Sequence, residues 1–223
     1  MTADDTHLLD TRRALLAAIL PHVPFDGWSA KSLRAAAADA GVTPELTKLS
    51  FPGGIAELIA FWSGEADRAM VAAYEEADGD AMRFRERITF LVRARIDAVG
   101  EHREAVRRAL TCLAQPQHGG KGLACLYRTV DEMWYAAGDR ATDFNFYTKR
   151  LTLAGVYSAT LLFWLDDASE DGAATRAFLD QRIAGVMRIP QRREKLRRAT
   201  GFLPNPQRFA RLVSERLRER GVG

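Results

Sequence analysis

Hydrophobic residues recur every three or four positions along almost the whole chain, which is the pattern of amphipathic helices. Proline and glycine interrupt this pattern at intervals, as they do at helix ends. No segment shows the strict alternation of a half-buried strand. We therefore expect an all-α fold, a bundle of nine to ten helices without a sheet. The predicted helices cover residues 8–20, 29–40, 43–49, 55–76, 82–99, 101–113, 123–137, 143–165 and 173–187, with a last helix ending near 220.

The N-terminal end has the spacing of a small three-helix unit. Ser29 and Thr43 are predicted N-caps, and Gly41 is predicted to allow the tight turn between two of the helices. Its expected core residues are Trp28, Leu33, Ala37, Val42, Leu46 and Phe51. This segment resembles the helix-turn-helix end of the TetR family of repressors, which implies a TetR-like helical bundle.

The most specific motif lies near the middle of the chain. It reads Asp131-Glu132-Met133-Trp134-Tyr135, then Ala137-Gly138-Asp139, then Thr142-Asp143-Phe144-Asn145-Phe146-Tyr147-Thr148-Lys149-Arg150. This order of rare dipeptides resembles the COQ9 family of ubiquinone-biosynthesis proteins, and the likeness covers roughly residues 10–188. Ala141 and Phe146 depart from the family pattern of serine and tryptophan, and Phe146 lacks the indole N–H donor.

The resemblance implies a function. COQ9 proteins form dimers, bind lipids and support the demethoxyubiquinone hydroxylase COQ7, without catalytic activity of their own. A member is expected to bind an isoprenoid quinone or a phospholipid, and a bacterial one is expected in the cytoplasm, peripheral on the inner membrane. The implied parts are a helix-turn-helix subdomain over 1–66, a lipid- and partner-binding helical domain over 67–188, and a basic amphipathic tail over 189–223.

Four residues are expected to share one helix face towards the hydroxylase. Asp143, Phe146, Tyr147 and Arg150 stand at i, i+3, i+4 and i+7. Aromatic residues beside a charged pair are typical of interface hot spots. From spacing alone, the aromatic residues could equally pack into the core, and the resemblance favours the partner surface.

Several helices are apolar on more than one side, and this pattern fits both a lipid cavity and a filled core. The sequence does not distinguish the two. The residues expected to contact lipid are Ile88, Leu91, Met133, Trp134, Leu153, Tyr157 and Leu161.

The formal net charge of +3 conceals an uneven distribution. Residues 188–223 contain eleven cations and three acids, a balance of +8, so residues 1–187 carry −5. An amphipathic cationic helix suits an anionic membrane surface, although packing at a dimer interface is an alternative. The residues expected at the membrane are Phe209, Leu212, Val213 and Leu217 with Arg208, Arg211 and Arg216.

Known catalytic and cofactor motifs are absent from the sequence. No histidine stands in a metal-binding spacing, and no nucleophile elbow or phosphate-binding loop appears. We expect no enzyme activity, no metal and no cofactor. A DNA-binding TetR-type repressor with an apolar ligand is the alternative, but residues 1–60 carry five cations and seven acids, so no nucleic-acid partner is expected.

Overall fold

The computed structural model describes residues 3–139 and 145–185, without the side chains of residues 3, 4, 119, 145 and 146. Helices and no strand occur within these ranges, so the all-α prediction is confirmed. The last predicted helix, near 220, lies outside the described residues. The helices are α1 (Ala3–Ile19), α2 (Val23–Asp26), α3 (Ala30–Asp39), α4 (Pro44–Ser50), α5 (Gly54–Glu76), α6 (Phe84–Asp97), α7 (Arg103–Leu113), α8 (Gly119–Ala136), α9 (Asn145–Asp166) and α10 (173–185).

The predicted helix caps are present. The Ser29 hydroxyl accepts a hydrogen bond from the Ser32 N–H at 3.1 Å, and Thr43 caps α4 in the same way. Gly41 has φ of +64°, and the next N–H, that of Val42, donates to the Ala37 carbonyl at 2.8 Å. This is a Schellman end, and a residue with a Cβ would be strained at Gly41.

The N-terminal helices form a small core in which α1 packs against α3 and α4. Trp28, Ala37 and Phe51 are buried there, as predicted. The other three predicted core residues, Leu33, Val42 and Leu46, are only half-buried, because a unit of this size has much surface for its volume.

Trp28 joins this end to the rest of the bundle. Its indole N–H donates to the Ala105 carbonyl of α7 at 2.9 Å, and its ring lies 5.3 Å from the ring of Trp62 on α5. Trp28 thereby helps to fix the N-terminal helices to α5 and α7.

The long helix α5 packs against α6 and α8, and α9 packs against α8 and α7.

Two helix starts differ from the prediction. Pro24 was taken as a break, but it occupies the first turn of α2, where a proline is tolerated. Helix α8 begins at Gly119 rather than at 123. The chain divides into two units, Met1–Asp180 and Gln181–Gly223, and the cavity described below lies in the first.

Candidate functional site

A cavity of about 460 Å³ lies among α5, α6, α7, α8 and α9. Most of its wall is apolar, and it includes Leu123 and Leu162, which are also exposed at the protein surface. The apolar wall therefore continues to the outside. A volume of this size falls within the range of roughly 300–1,000 Å³ found for small-molecule sites.

One part of the cavity wall is polar and is organised by Asp67 of α5. This buried carboxylate accepts hydrogen bonds from Arg95 Nε at 2.7 Å, from Thr129 Oγ1 at 2.7 Å and from Arg128 Nε at 3.0 Å. Arg95 Nη2 donates to Ser63 Oγ at 3.1 Å. Because a buried charge is tolerated only when it is paired, Asp67 fixes the position of the Arg95 guanidinium.

Burial by itself would lower the pKa of Arg95, but the charge and hydrogen bond of Asp67 raise it, and the net direction is upward. Arg95 therefore stays protonated. Burial raises the pKa of the Tyr157 hydroxyl, which keeps this side chain a neutral donor at pH 7. The polar wall thus contains a permanent cation and a neutral phenol.

Only two of the seven residues expected to contact lipid line the cavity. These two are Tyr157 and Leu161. The other five are buried in the core and are not among the lining residues: Ile88, Leu91, Met133, Trp134 and Leu153. Helical periodicity identified buried faces, but it could not show which buried side chains border an empty volume.

Sequence reasoning missed the contribution of α5 and α7 to the cavity. Ile59 and Trp62 of α5 and Val106, Leu110 and Leu113 of α7 face it. The apolar stripe of α7 was a usable signal, because these three residues stand at i, i+4 and i+7.

The structure also divides the expected partner face. Tyr147 is 66% exposed, as a contact residue should be, but Arg150 is only 6% exposed. Arg150 Nε donates to Asp131 Oδ1 of α8 at 2.6 Å, so the expectation that Arg150 lies beside Tyr147 on an exposed face was wrong. Asp143 and the side chain of Phe146 lie outside the described part of the chain.

All seven residues expected at the membrane lie outside the described residues: Arg208, Phe209, Arg211, Leu212, Val213, Arg216 and Leu217. Within residues 3–139 and 145–185, no helix combines the length and the apolar character needed to span a membrane.

Helix α4 stands where a TetR-type repressor would contact DNA bases, and its surroundings disfavour such a contact. The Thr47 side chain is buried, and its hydroxyl donates to the Thr43 carbonyl at 2.8 Å. At the start of α5, the Gly53 N–H donates to Glu57 Oε2 at 2.7 Å, and Arg12 pairs with the other oxygen of Glu57 at 3.2 Å. The chain's own carboxylate thus occupies the place where a helix N-terminus would hold a phosphate.

No cluster of three or more His, Cys, Asp or Glu side chains that could hold a metal occurs among the described residues. The two cysteines do not form a disulfide; Cys125 is buried and Cys112 is partly buried. Burial raises the pKa of both thiols, which disfavours the reactive thiolate.

Comparisons with known proteins agree with the resemblance noted in the sequence. A family model described as COQ9 matches residues 120–190. The chain is similar to the mitochondrial ubiquinone biosynthesis protein COQ9 of Drosophila melanogaster, with 33% identity over 182 residues, 80% of this chain and 56% of that protein. Rattus norvegicus COQ9 is 34% identical over 78% of this chain and 58% of its own length. Homo sapiens COQ9 is 32% identical over 78% of this chain and 57% of its own length. The chain therefore spans less than two thirds of the length of these relatives.

The fold is similar to that of a solved structure, the TetR transcriptional regulator from Nitrosomonas europaea. The TM-score is 0.66 at 27% sequence identity, and the match covers 78% of this chain and 97% of that one. The prediction of a TetR-like fold is confirmed.

Proposed function

The chain belongs to the COQ9 family, and from this premise we propose that it is a non-enzymatic accessory protein of ubiquinone biosynthesis. In this role it binds an isoprenoid quinone intermediate and presents it to the demethoxyubiquinone hydroxylase COQ7. The observation that carries the proposal is the cavity of about 460 Å³ with its largely apolar wall. The family resemblance explains why this cavity would hold a lipid.

The apolar wall supplies the driving force that such a role needs. Burying an isoprenoid chain is worth about 0.8 kcal/mol per CH₂ relative to water. A protein that removes such a chain from a bilayer has to replace that gain with a comparably apolar cavity. The continuous apolar surface from Leu123 and Leu162 inward offers a path for the chain.

Tyr147 is the described residue that best suits contact with the hydroxylase. It lies near the N-terminal end of α9, and its ring is 66% exposed, an arrangement typical of interface hot spots. Asp143 and Phe146 belong to the same proposed contact by their spacing. Arg150 supports this end of α9 from inside, through Asp131 of α8.

Membrane association and self-association complete the proposal. The +8 charge of residues 188–223 and the apolar stripe within them support binding to an anionic membrane surface, as a peripheral protein of the bacterial inner membrane. Tyr127 of α8 and Leu151 of α9 are exposed apolar side chains that a second copy would cover in a homodimer. Vesicle co-sedimentation and light scattering test these two points.

A TetR-type repressor with an apolar ligand is the alternative, and the similarity to a TetR regulator supports it. The buried Thr47 and the Glu57 carboxylate at the start of α5 disfavour it. Salt-sensitive binding of the protein to duplex DNA would favour the repressor.

The experiment for the main proposal has two parts. Protein purified from a ubiquinone-producing host is expected to carry a lipid in native mass spectrometry, and consistently empty protein would contradict lipid binding. Tyr147→Ala is expected to weaken binding to the hydroxylase at least tenfold. Phe25→Ala removes an exposed aromatic ring from a different helix, α2, and is expected to leave binding to the hydroxylase unchanged. Equal binding by both variants would contradict the proposed contact.

A further inference from the structure

The polar wall of the cavity contains donors that the protein itself does not use. Tyr157 is only 5% exposed and lines the cavity, and its hydroxyl forms no hydrogen bond with the described residues. The hydroxyl oxygen is not one of the fully buried unpaired side-chain atoms, so it is accessible from the cavity, where a ligand could take the place of water as its partner. Arg95 also lines the cavity, and its bonds to Asp67 and Ser63 use only Nε and Nη2.

We propose that Tyr157 and Arg95 recognise a carbonyl oxygen at the head of a ligand whose apolar chain fills the rest of the cavity. This inference rests on the proposed lipid-binding function and specifies the chemistry at one end of the ligand. The phenol donates one hydrogen bond to the carbonyl, and the guanidinium adds a charge-assisted one. The apolar wall formed by α7 and the ends of α8 and α9 takes the chain.

The buried charges favour a neutral carbonyl over an ionised carboxylate. Asp67 and Arg95 are both almost fully buried, and their charges cancel. Arg128, the second cation on Asp67, is 42% exposed and is not among the residues that line the cavity. A carboxylate entering the cavity would therefore be a buried charge without a full counter-charge, which is costly, whereas a neutral carbonyl needs only the unused donors.

The neighbouring hydroxyls support this assignment. Thr129 Oγ1 donates to Asp67, so its proton is committed to the carboxylate. Ser63 Oγ accepts from Arg95 and its side chain is also hydrogen-bonded to Cys125, so its proton is committed as well. Tyr157 and Arg95 thus remain as donors on the described wall, and an acceptor oxygen is the complementary group.

The test measures the affinity of the full chain for three probes with similar chains. These are a decyl-substituted benzoquinone with neutral carbonyls, undecanoate with a carboxylate, and decylbenzene without an acceptor oxygen. The wild-type protein is expected to bind the quinone more tightly than the other two. Tyr157→Phe, which removes only the hydroxyl, is expected to weaken quinone binding about threefold to tenfold and to leave decylbenzene binding unchanged.

Tyr135→Phe is the matched control, because it removes the same hydroxyl from an exposed ring on α8 that does not line the cavity. If the quinone and decylbenzene bind equally and Tyr157→Phe changes neither affinity, the head-group inference is wrong while lipid binding stands. Tighter binding of undecanoate than of the quinone would overturn the preference for a neutral carbonyl. If none of the probes binds, the proposed lipid-binding function itself fails.

Discussion

Replacing Asp67 with Asn tests whether the buried ion pair holds the bundle together. The side chains of Asp67 and Arg95 are 5% and 7% exposed, and their closest atoms, Oδ1 and Nε, are 2.7 Å apart. The substitution leaves the Arg95 guanidinium buried without its counter-charge. Removing one partner of a buried pair costs about 3–5 kcal/mol of unfolding free energy. At 2–4 °C per kcal/mol for a chain of this size, the unfolding midpoint should fall by roughly 6–20 °C.

The assay is thermal and urea unfolding followed by circular dichroism. Asp166→Asn is the control, because Asp166 is 79% exposed and pairs at 2.9 Å with Arg107, which is itself 46% exposed. Its loss should cost less than about 1 kcal/mol. The double variant Asp67→Leu/Arg95→Met removes both buried charges and should recover much of the loss. If Asp67→Asn is no more destabilising than Asp166→Asn, the pair does not have the structural role assigned to it.

Three further predictions concern other parts of the fold. Arg150→Ala should lower the unfolding free energy by about 1.5–3 kcal/mol, because a charged hydrogen bond is lost. Tyr147→Ala should change the unfolding free energy by less than about 0.5 kcal/mol. A larger loss for Tyr147→Ala than for Arg150→Ala in urea unfolding would contradict the burial assigned to the two residues. Hydrogen bonds from Ser169 and Thr175 hold the pKa of Asp167 well below its usual range, so its stabilisation is present at pH 7 and is lost as the pH falls towards that lowered pKa. Asp167→Asn should therefore lower the unfolding midpoint at pH 7, and the difference in midpoint between the variant and the wild-type protein should become smaller below about pH 4. A difference in midpoint that stays constant with pH would count against this linkage. Trp28→Phe removes the indole donor to α7 and should cost about 1–3 kcal/mol in the same unfolding assay, and an unchanged midpoint would show that this bond does not hold the N-terminal helices.

The helices could be predicted from the sequence because their ends depend on local chemistry. Ser29 and Thr43 cap helices through bonds three residues away, and Gly41 ends one through its own backbone conformation. The short α2 was missed because Pro24 has the same local appearance at a break and in a first helical turn.

The candidate site could be predicted only in part, because it depends on contacts between distant segments. Arg150 is buried through Asp131, which lies nineteen residues away on another helix. Helix α9 is apolar on several sides, so its sequence does not mark one face as internal. The polar wall joins Ser63, Arg95 and Thr129 from three helices through bonds that involve Asp67, and no local spacing connects them.

The quinone profile of a host strain that lacks this protein tests the central claim most directly. Extracted lipids would be separated by chromatography and identified by mass spectrometry, with the wild-type gene restored as the control. The account predicts that demethoxyubiquinone accumulates, that ubiquinone falls, and that the restored gene reverses both. Unchanged quinone levels in the deleted strain would contradict a role in presenting this intermediate to the hydroxylase.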